Sequence, residues 1–158
     1  MKKSKTPADS RTEFNIIIRP ADVNSLGACF GGTIMQWMDM TASIYARRHS
    51  NVRVNTVKAE EIKFIKPLQV GHVAHLVAAV VRVFHSSMEV HVQVYAEDTY
   101  SSTSELAANA VFIFVGLNEN MRPVKVYDLK PSTPEERALW EKAGERRDRQ
   151  KQRQNKSG

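Results

Sequence analysis

Between Val52 and Gly116 the sequence sets out four long strand patterns in succession, and one apolar helix is all that precedes them to cover their inner faces. The strand segments are Val52–Ile65, His72–Phe84, Ser87–Asp98 and Glu105–Gly116. The third alternates without a break: Met88, Val90, Val92, Val94 and Ala96 share one face, and Glu89, His91, Gln93, Tyr95 and Glu97 the other. The second and fourth carry apolar residues on both faces, as central strands do. The turn-forming stretches KPLQVG, HSS and TYSSTS separate the four, which predicts hairpins and a mostly antiparallel sheet. A shorter strand, EFNIIIRP, stops at Pro20. The helix is predicted from about Gly32 to Arg48. Ile34, Trp37, Met38, Thr41, Ile44 and Tyr45 follow helical spacing, and Met35 and Ala42 widen the apolar face. A sheet this long buries its inner face on a single helix by curling around it, so the expected class is α+β with the helix wrapped by the sheet.

Outside this unit the chain is polar. Residues 1–12 are expected to be a disordered lead, residues 13–130 one domain, and residues 131–158 a basic C-terminal helix and tail. Thr133 is placed to cap that helix, Pro134 suits its first position, and Glu136 completes a capping box. Arg146, Arg147, Arg149, Lys151 and Arg153 make it basic. Glu141, Glu145 and Asp148 fall at pairing distances from several cations, and aromatic residues are not interleaved, so a solvated helix is expected rather than a nucleic-acid contact.

Composition narrows the functional classes. No apolar run reaches membrane-spanning length, and MKKSKTPADS lacks the apolar core of a signal peptide. Cys29 is the single cysteine, which leaves no internal disulfide and fits the cytoplasm. The formal net charge of +6 favours an anionic partner without choosing among nucleotides, nucleic acid and acidic lipids. His49, His72, His75, His85 and His91 lack metal-ligand spacing with Cys, Asp or Glu, and no phosphate-binding loop or dinucleotide fingerprint occurs. No metal and no cofactor are expected.

The residues able to do chemistry sit in and before the helix. In FGGTIMQWMDMTASIYARR, Asp39 is the one carboxylate in a segment that is otherwise apolar, small or uncharged polar until Arg47. A buried acid is costly unless compensated, so it either pairs with a neighbour or serves as a base or nucleophile. Ser43, one turn later, is a candidate hydrogen-bond partner or a small packing residue. Gly31 and Gly32 either make a tight turn into the helix or expose backbone N–H groups that could hold a polarised carbonyl oxygen. Asn24, in DVNSLG, either shapes its turn or orients a water or a carbonyl. Cys29, with no histidine in telling relation to it, reads as a small apolar residue.

Taken together, RPADVNSLGACFGGTIMQWMDMTASIYARRHS, FIKPLQVGH and HSSMEVHVQVYAED resemble the acyl-CoA hydrolases of the hot-dog fold, a cytosolic thioesterase family. The similarity runs from about Glu13 to the start of the tail helix. It implies hydrolysis of acyl-CoA to free CoA and a carboxylic acid, with CoA present as part of the substrate and no separate cofactor. By the same resemblance Asp39 activates water or attacks the thioester, Gly31 and Gly32 polarise the carbonyl, Asn24 positions water or substrate, and Thr56 supports the attacking water. Lys66, Arg82, Ser86 and Ser87 become candidate contacts for the CoA phosphates, and the acyl chain is expected between helix and sheet. The resemblance also implies a homo-oligomer, a dimer of shared sites assembled as a trimer of dimers, with no nucleic acid and no membrane as partner. Two departures stand out: Phe30 replaces a histidine before the glycines, and FHSSM replaces a turn containing glycine and arginine. The alternatives within the fold are a non-catalytic acyl-CoA-binding protein and a dehydratase, whose usual histidine beside the acid is missing near Asp39.

Overall fold

In the computed structural model, which describes residues 4–158, the apolar segment forms one helix, α1, spanning Gly31–Ser50. It starts after Phe30 without a side-chain cap. It ends at Asn51, whose left-handed φ of 56° returns its N–H to the Arg47 carbonyl at 2.8 Å. Arg47, Arg48 and His49 occupy the last turn, at the negative end of the helix dipole.

Among the described residues seven strands accompany it: β1 (Ser4–Lys5), β2 (Thr12–Ile17), β3 (Arg53–Phe64), β4 (Val73–Phe84), β5 (Ser87–Asp98), β6 (Thr103–Leu117) and β7 (Asp128–Leu129). Five of them make one antiparallel sheet in the order β2-β4-β5-β6-β3. α1 packs against all five. Met38 and Tyr45 from the helix meet Leu76, Val90, Val92, Val94 and Phe114 from the sheet in one fully buried core. The alternation read in β5 therefore sorts as expected, with Met88, Val90, Val92 and Val94 all buried on the helix side.

Only two of the three turn stretches make hairpins. β4 and β5 join through His85 and Ser86, and β5 and β6 through residues 99–102, but β3 pairs with β6 and not with β4. KPLQVG crosses under the helix start instead. Leu68 is fully buried there, its carbonyl accepts from the Cys29 N–H at 2.7 Å, and Gln69 bridges to Ala28. A hairpin would leave that end of the core open.

The helix is not wrapped on every side in a single chain. Met40 and Ile44 are exposed on α1, as are Val57, Phe64 and Ile65 on and just after β3, an edge strand.

The lead is ordered from Ser4 on, contrary to the disordered lead expected over residues 1–12; its first three residues lie outside the described ones. β1 pairs with β7, Pro7–Ser10 forms a 3-10 turn, and Thr12 already belongs to β2. The Tyr45 hydroxyl donates to the Pro7 carbonyl, and Lys5 Nζ donates to the Arg48 carbonyl at 2.6 Å and to Asn51 Oδ1 at 2.7 Å. These are specific polar anchors, which a composition-based reading does not detect.

α2 (Pro134–Lys156) begins as expected, with Thr133 Oγ1 accepting from the Glu136 N–H at 3.1 Å. It is not a free solvated helix. Ala143 is fully buried, and Arg82 stacks on the Trp140 ring at 3.5 Å while donating to the Trp140 carbonyl at 2.8 Å. Arg146 Nε reaches Glu89 Oε1 at 3.1 Å, and its Nη2 reaches Glu89 Oε2 at 3.2 Å. α2 thus covers the face of the sheet turned away from α1.

Candidate active site

Asp39 sits midway along α1, half-buried, and accepts a hydrogen bond on Oδ1 from Thr56 Oγ1 at 2.8 Å. Thr56 lies at an irregularity in β3, where the register against β6 shifts between Thr56 and Lys58. Such a bulge re-aims side chains at a sheet edge. One carboxylate oxygen is oriented by the threonine, and the other carries no hydrogen bond among the described residues. Asp39 is therefore less buried than the sequence expectation had it. Ser43 is not its partner, because the Ser43 hydroxyl donates to the Met40 carbonyl at 2.9 Å.

The start of α1 is the second part of the candidate site. Its first internal bond runs from the Ile34 N–H to the Phe30 carbonyl at 3.1 Å. The N–H groups of the three preceding residues fall in the turn that an α-helix leaves without internal partners, and no side chain caps them. Gly32 is exposed, with nothing within 4 Å of where a Cβ would stand. At Gly31 a Cβ would lie 3.3 Å from the Phe64 ring. Asn24 stands in the preceding loop. Its Oδ1 accepts from the Leu26 N–H at 2.9 Å and the Ala28 N–H at 3.2 Å, so its side chain shapes the turn. That use of the oxygen fixes the amide orientation and leaves the Nδ2 donors for another group.

The glycines and Asp39 lie about 10 Å apart along the helix axis. Gly31 and Gly32 at the helix start, with Asn24 in the loop that leads into it, thus stand apart from the bonded pair Asp39 and Thr56.

The expected CoA contacts scatter. Lys66 lies near the helix start and pairs with Glu105 at 2.7 Å. Ala28, Cys29, Gly31, Ile34 and Phe64 line a cavity of about 380 Å³ with it. Gly31 and Ile34 of α1 and Phe64 of β3 wall this opening between the helix start and the edge strand, whereas farther along the helix Met38, Tyr45 and Phe114 fill the space against the sheet. Arg82 is on the far face, held by Trp140. Ser86 and Ser87 lie at the opposite end of the sheet from Gly31. Ser87 pairs with Val115 next to the strand ends that follow α1, whereas Gly31 touches Phe64 at the other end of β3.

Cys29 is buried, and burial pushes its thiol up to about 11, which keeps it protonated and unreactive. His49 is buried on α1, with Nε2 2.8 Å from the Tyr127 carbonyl. Desolvation lowers its pKa, so the ring stays neutral. Among the described residues no three His, Cys, Asp or Glu side chains converge on a common metal position, and no helix is long and apolar enough to cross a membrane.

One feature escaped the sequence reading. A cavity of about 840 Å³ opens at the C-terminal end of α1, with Arg47, Arg48 and Arg53 in its wall. The first two arginines had been accounted for by the helix dipole, and their convergence with Arg53 depends on the turn at Asn51.

Comparison with known proteins agrees with this geometry. The family model described as the Thioesterase superfamily matches residues 26–103. An uncharacterised acyl-CoA thioester hydrolase of Zymomonas mobilis is 36% identical over 128 residues, covering 81% of this chain and 83% of that protein. An acyl-CoA hydrolase from Staphylococcus aureus, solved with butyryl coenzyme A, coenzyme A and coenzyme A disulfide, superposes with a TM-score of 0.89 at 32% identity, covering 98% of this chain and 94% of that one. That enzyme has also been solved as variants with single alanine substitutions at an aspartate, a threonine and an asparagine. A hexameric acyl-CoA thioesterase superposes with a TM-score of 0.92 at 30% identity, covering 96% of this chain and 97% of that one. With its helix α1 held in a curled antiparallel sheet, its Asp–Thr pair and its open glycine helix start, this chain belongs to the hot-dog acyl-CoA thioester hydrolases of the Thioesterase superfamily.

Proposed function

We propose that the protein hydrolyses acyl-CoA to free CoA and a carboxylic acid at a site shared between two copies of the chain. The observation that carries this reading is the Thr56-oriented carboxylate of Asp39, standing about 10 Å along the same helix from an uncapped glycine start. Each cluster does half of the reaction. The N–H groups of Gly31 and Gly32 receive the thioester carbonyl oxygen, whose negative charge grows as the carbon becomes tetrahedral. The Asn24 amide donates to water or substrate beside it. Asp39 takes the proton of the attacking water, whose oxygen bonds to the carbonyl carbon. The C–S bond breaks, and the proton passes to the departing CoA sulfur. In the alternative course the carboxylate itself attacks and water then hydrolyses the mixed anhydride. No cofactor is called for, since a thioester has little resonance between sulfur and carbonyl to overcome.

A second copy supplies the missing half. The edge strand β3 offers unpaired backbone groups, and Met40, Ile44, Val57 and Phe64 lie exposed along the same side. A two-fold axis there continues the sheet, covers these side chains and sets one copy's Asp39 and Thr56 against the other's Asn24 and glycines. Two sites form per dimer. The hexameric relative supports further assembly into six copies, and with the two-fold pair as the unit the arrangement proposed is a trimer of dimers. The S. aureus variants support the same choice of residue types for Asp39, Thr56 and Asn24. A single, unpaired cysteine fits a reducing cytoplasm. A dehydratase reading lacks its histidine, because His49 is buried against Tyr127.

The test is release of free thiol from a panel of short, medium and long acyl-CoA substrates by the purified protein without added metal. Thiol release above background supports hydrolysis; none on any chain length rejects it.

A further inference from the structure

We infer that Gln150 of α2 is a positioning residue for the reaction: it fixes the bulged stretch of β3 and, through it, the Thr56 hydroxyl that orients Asp39. The inference rests on the hydrolase reading above and extends the working part of the protein to the face of the sheet opposite the site.

The register of β3 shows what has to be fixed. Thr56 stands opposite Phe114 on β6, and Lys58 stands opposite Ile113, so Val57 is one residue too many for the pairing. In a regular strand Thr56 and Lys58 would share a face. The extra residue separates them. Thr56 turns to Asp39 of α1, and the Lys58 ammonium turns to Gln150 of α2. A second irregularity follows between Glu60 and Lys63, and Glu61 there has a left-handed φ of 51°. Only Lys58, Ala59 and Glu60 pair regularly between the two irregularities. β3 is an edge strand, so this short ladder has one neighbour and a weak hold on its register. A shift that removed the first bulge while keeping Lys58 opposite Ile113 would carry Thr56 opposite Val115, onto the face turned away from Asp39.

The charged side chains of this stretch are taken up by α2. Gln150 Oε1 accepts from Lys58 Nζ at 3.2 Å, and Gln150 Nε2 donates to both carboxylate oxygens of Glu60, each at 3.0 Å. Lys58 also pairs with Glu60 directly. One turn earlier on α2, Arg146 Nη1 donates to Glu61 Oε2 at 3.1 Å while its Nε and Nη2 hold Glu89 of β5. Arg146 thus reaches from an inner strand, over β6, to the edge. An amide suits position 150 because it accepts from the cation and donates to the anion at once. A carboxylate or an ammonium there would serve one partner and repel the other.

Gln150 acts on the site only through the strand. It holds Lys58, two residues from Thr56, and Thr56 holds Asp39 at 2.8 Å. Loosening β3 lets the Thr56 hydroxyl drift, and a displacement of about 1 Å in a catalytic geometry can cost up to roughly a hundredfold in rate.

Gln150→Met keeps the length of the side chain and removes its hydrogen bonds. kcat for the best acyl-CoA of the panel should fall roughly threefold to thirtyfold, with KM within about twofold. In a Thr56→Val chain the same substitution should change kcat by less than about twofold, because the bond it serves is already gone. The exchanged pair Glu60→Gln/Gln150→Glu, in which amide and carboxylate trade places, should recover most of the activity that Gln150→Glu alone loses. An unchanged kcat in Gln150→Met, an equal loss in the wild-type and Thr56→Val backgrounds, or no recovery in the exchanged pair overturns the inference; the equal loss would make α2 a general support of the fold. If the wild type hydrolyses no acyl-CoA, the hydrolase reading fails separately, and hydrogen exchange decides the positioning. Faster exchange confined to residues 53–64 in Gln150→Met supports it, and equal exchange or a general rise overturns it.

Discussion

Thr56 Oγ1 donates to Asp39 Oδ1 over 2.8 Å, tying the middle of the central helix to the edge strand beside it. This one bond orients a carboxylate that would otherwise rotate, and it does so from the strand on which a second copy is expected to dock.

Asp39→Asn should lower kcat by roughly 100-fold to 10,000-fold, the usual contribution of a positioned base. The amide is nearly isosteric and can still accept from Thr56, so Tm should change little. Thr56→Val removes the donor but keeps the shape. A hydrogen bond to a charged group is worth about 1.5–3 kcal/mol, so activity should fall roughly tenfold to a hundredfold. Steady-state kinetics beside a thermal melt separates the outcomes: a collapse of Tm in Asp39→Asn would make the residue structural.

The two halves of this pair differ in how far sequence exposes them. Asp39 is legible because a lone acid in an apolar helix is a local anomaly. Thr56 is an ordinary strand residue, and only the resemblance marked it. The same divide runs through the fold. The alternation of Met88 to Ala96 and the spacing of Ile34 to Tyr45 are local patterns, and both predicted the buried faces except at Ile44, which is exposed in the single chain. The pairing of β3 with β6 is non-local and left no trace in KPLQVG, which looks like any hairpin turn. Arg82 shows the limit in another way. An arginine next to a hairpin looks like a phosphate ligand until Trp140, 58 residues later, is found stacked on it.

Gly32→Ala should separate stability from catalysis. A methyl group there meets nothing within 4 Å in the chain, and alanine in place of glycine in a helix is worth about 0.5–1 kcal/mol. Tm should therefore hold or rise by about 2 °C, while kcat/KM falls because the methyl group enters the space of the carbonyl. Gly31→Ala must also displace the Phe64 ring, 3.3 Å away, and should show the smaller gain in Tm. Unchanged kcat/KM in Gly32→Ala would remove the helix start from the site.

α2 should be held on the sheet in a pH-dependent way through Glu89. Burial pushes the Glu89 carboxyl upward, but the hydrogen bond from His91 and the charges of His91 and Arg146 outweigh it and hold the pKa below the ordinary glutamate value. Arg146 also reaches Glu61 at 3.1 Å. The folded pKa lies below the unfolded one, so the unfolded state binds the proton more readily. The contribution is full above the unfolded value of about 4.3 and is lost as pH falls through the folded value. Glu89→Gln should flatten the acid limb of Tm against pH relative to wild type. Arg146→Ala leaves a carboxylate that is 3% exposed without its bidentate partner and should cost about 3 kcal/mol near neutral pH. Identical acid limbs for wild type and Glu89→Gln would show that the cluster does not contribute.

The shared site predicts recovery of activity from two inactive chains. Asn24→Ala removes the donor from one cluster, and Asp39→Ala removes the carboxylate from the other, so each homo-oligomer should lose nearly all turnover. Unfolding the two variants together and refolding them lets hybrid dimers form. In a hybrid, one of the two sites carries both lesions and the other carries neither, because its Asn24 comes from the Asp39→Ala chain and its Asp39 from the Asn24→Ala chain. With equal amounts and random pairing, half of the dimers are hybrids with one intact site each, so about a quarter of wild-type activity should return. Native mass spectrometry of chains with different tags counts the hybrids, and thiol release counts the active sites. If hybrids form in the expected proportion and thiol release stays at the level of the separate variants, both clusters must act within one chain, and the two-fold arrangement is wrong.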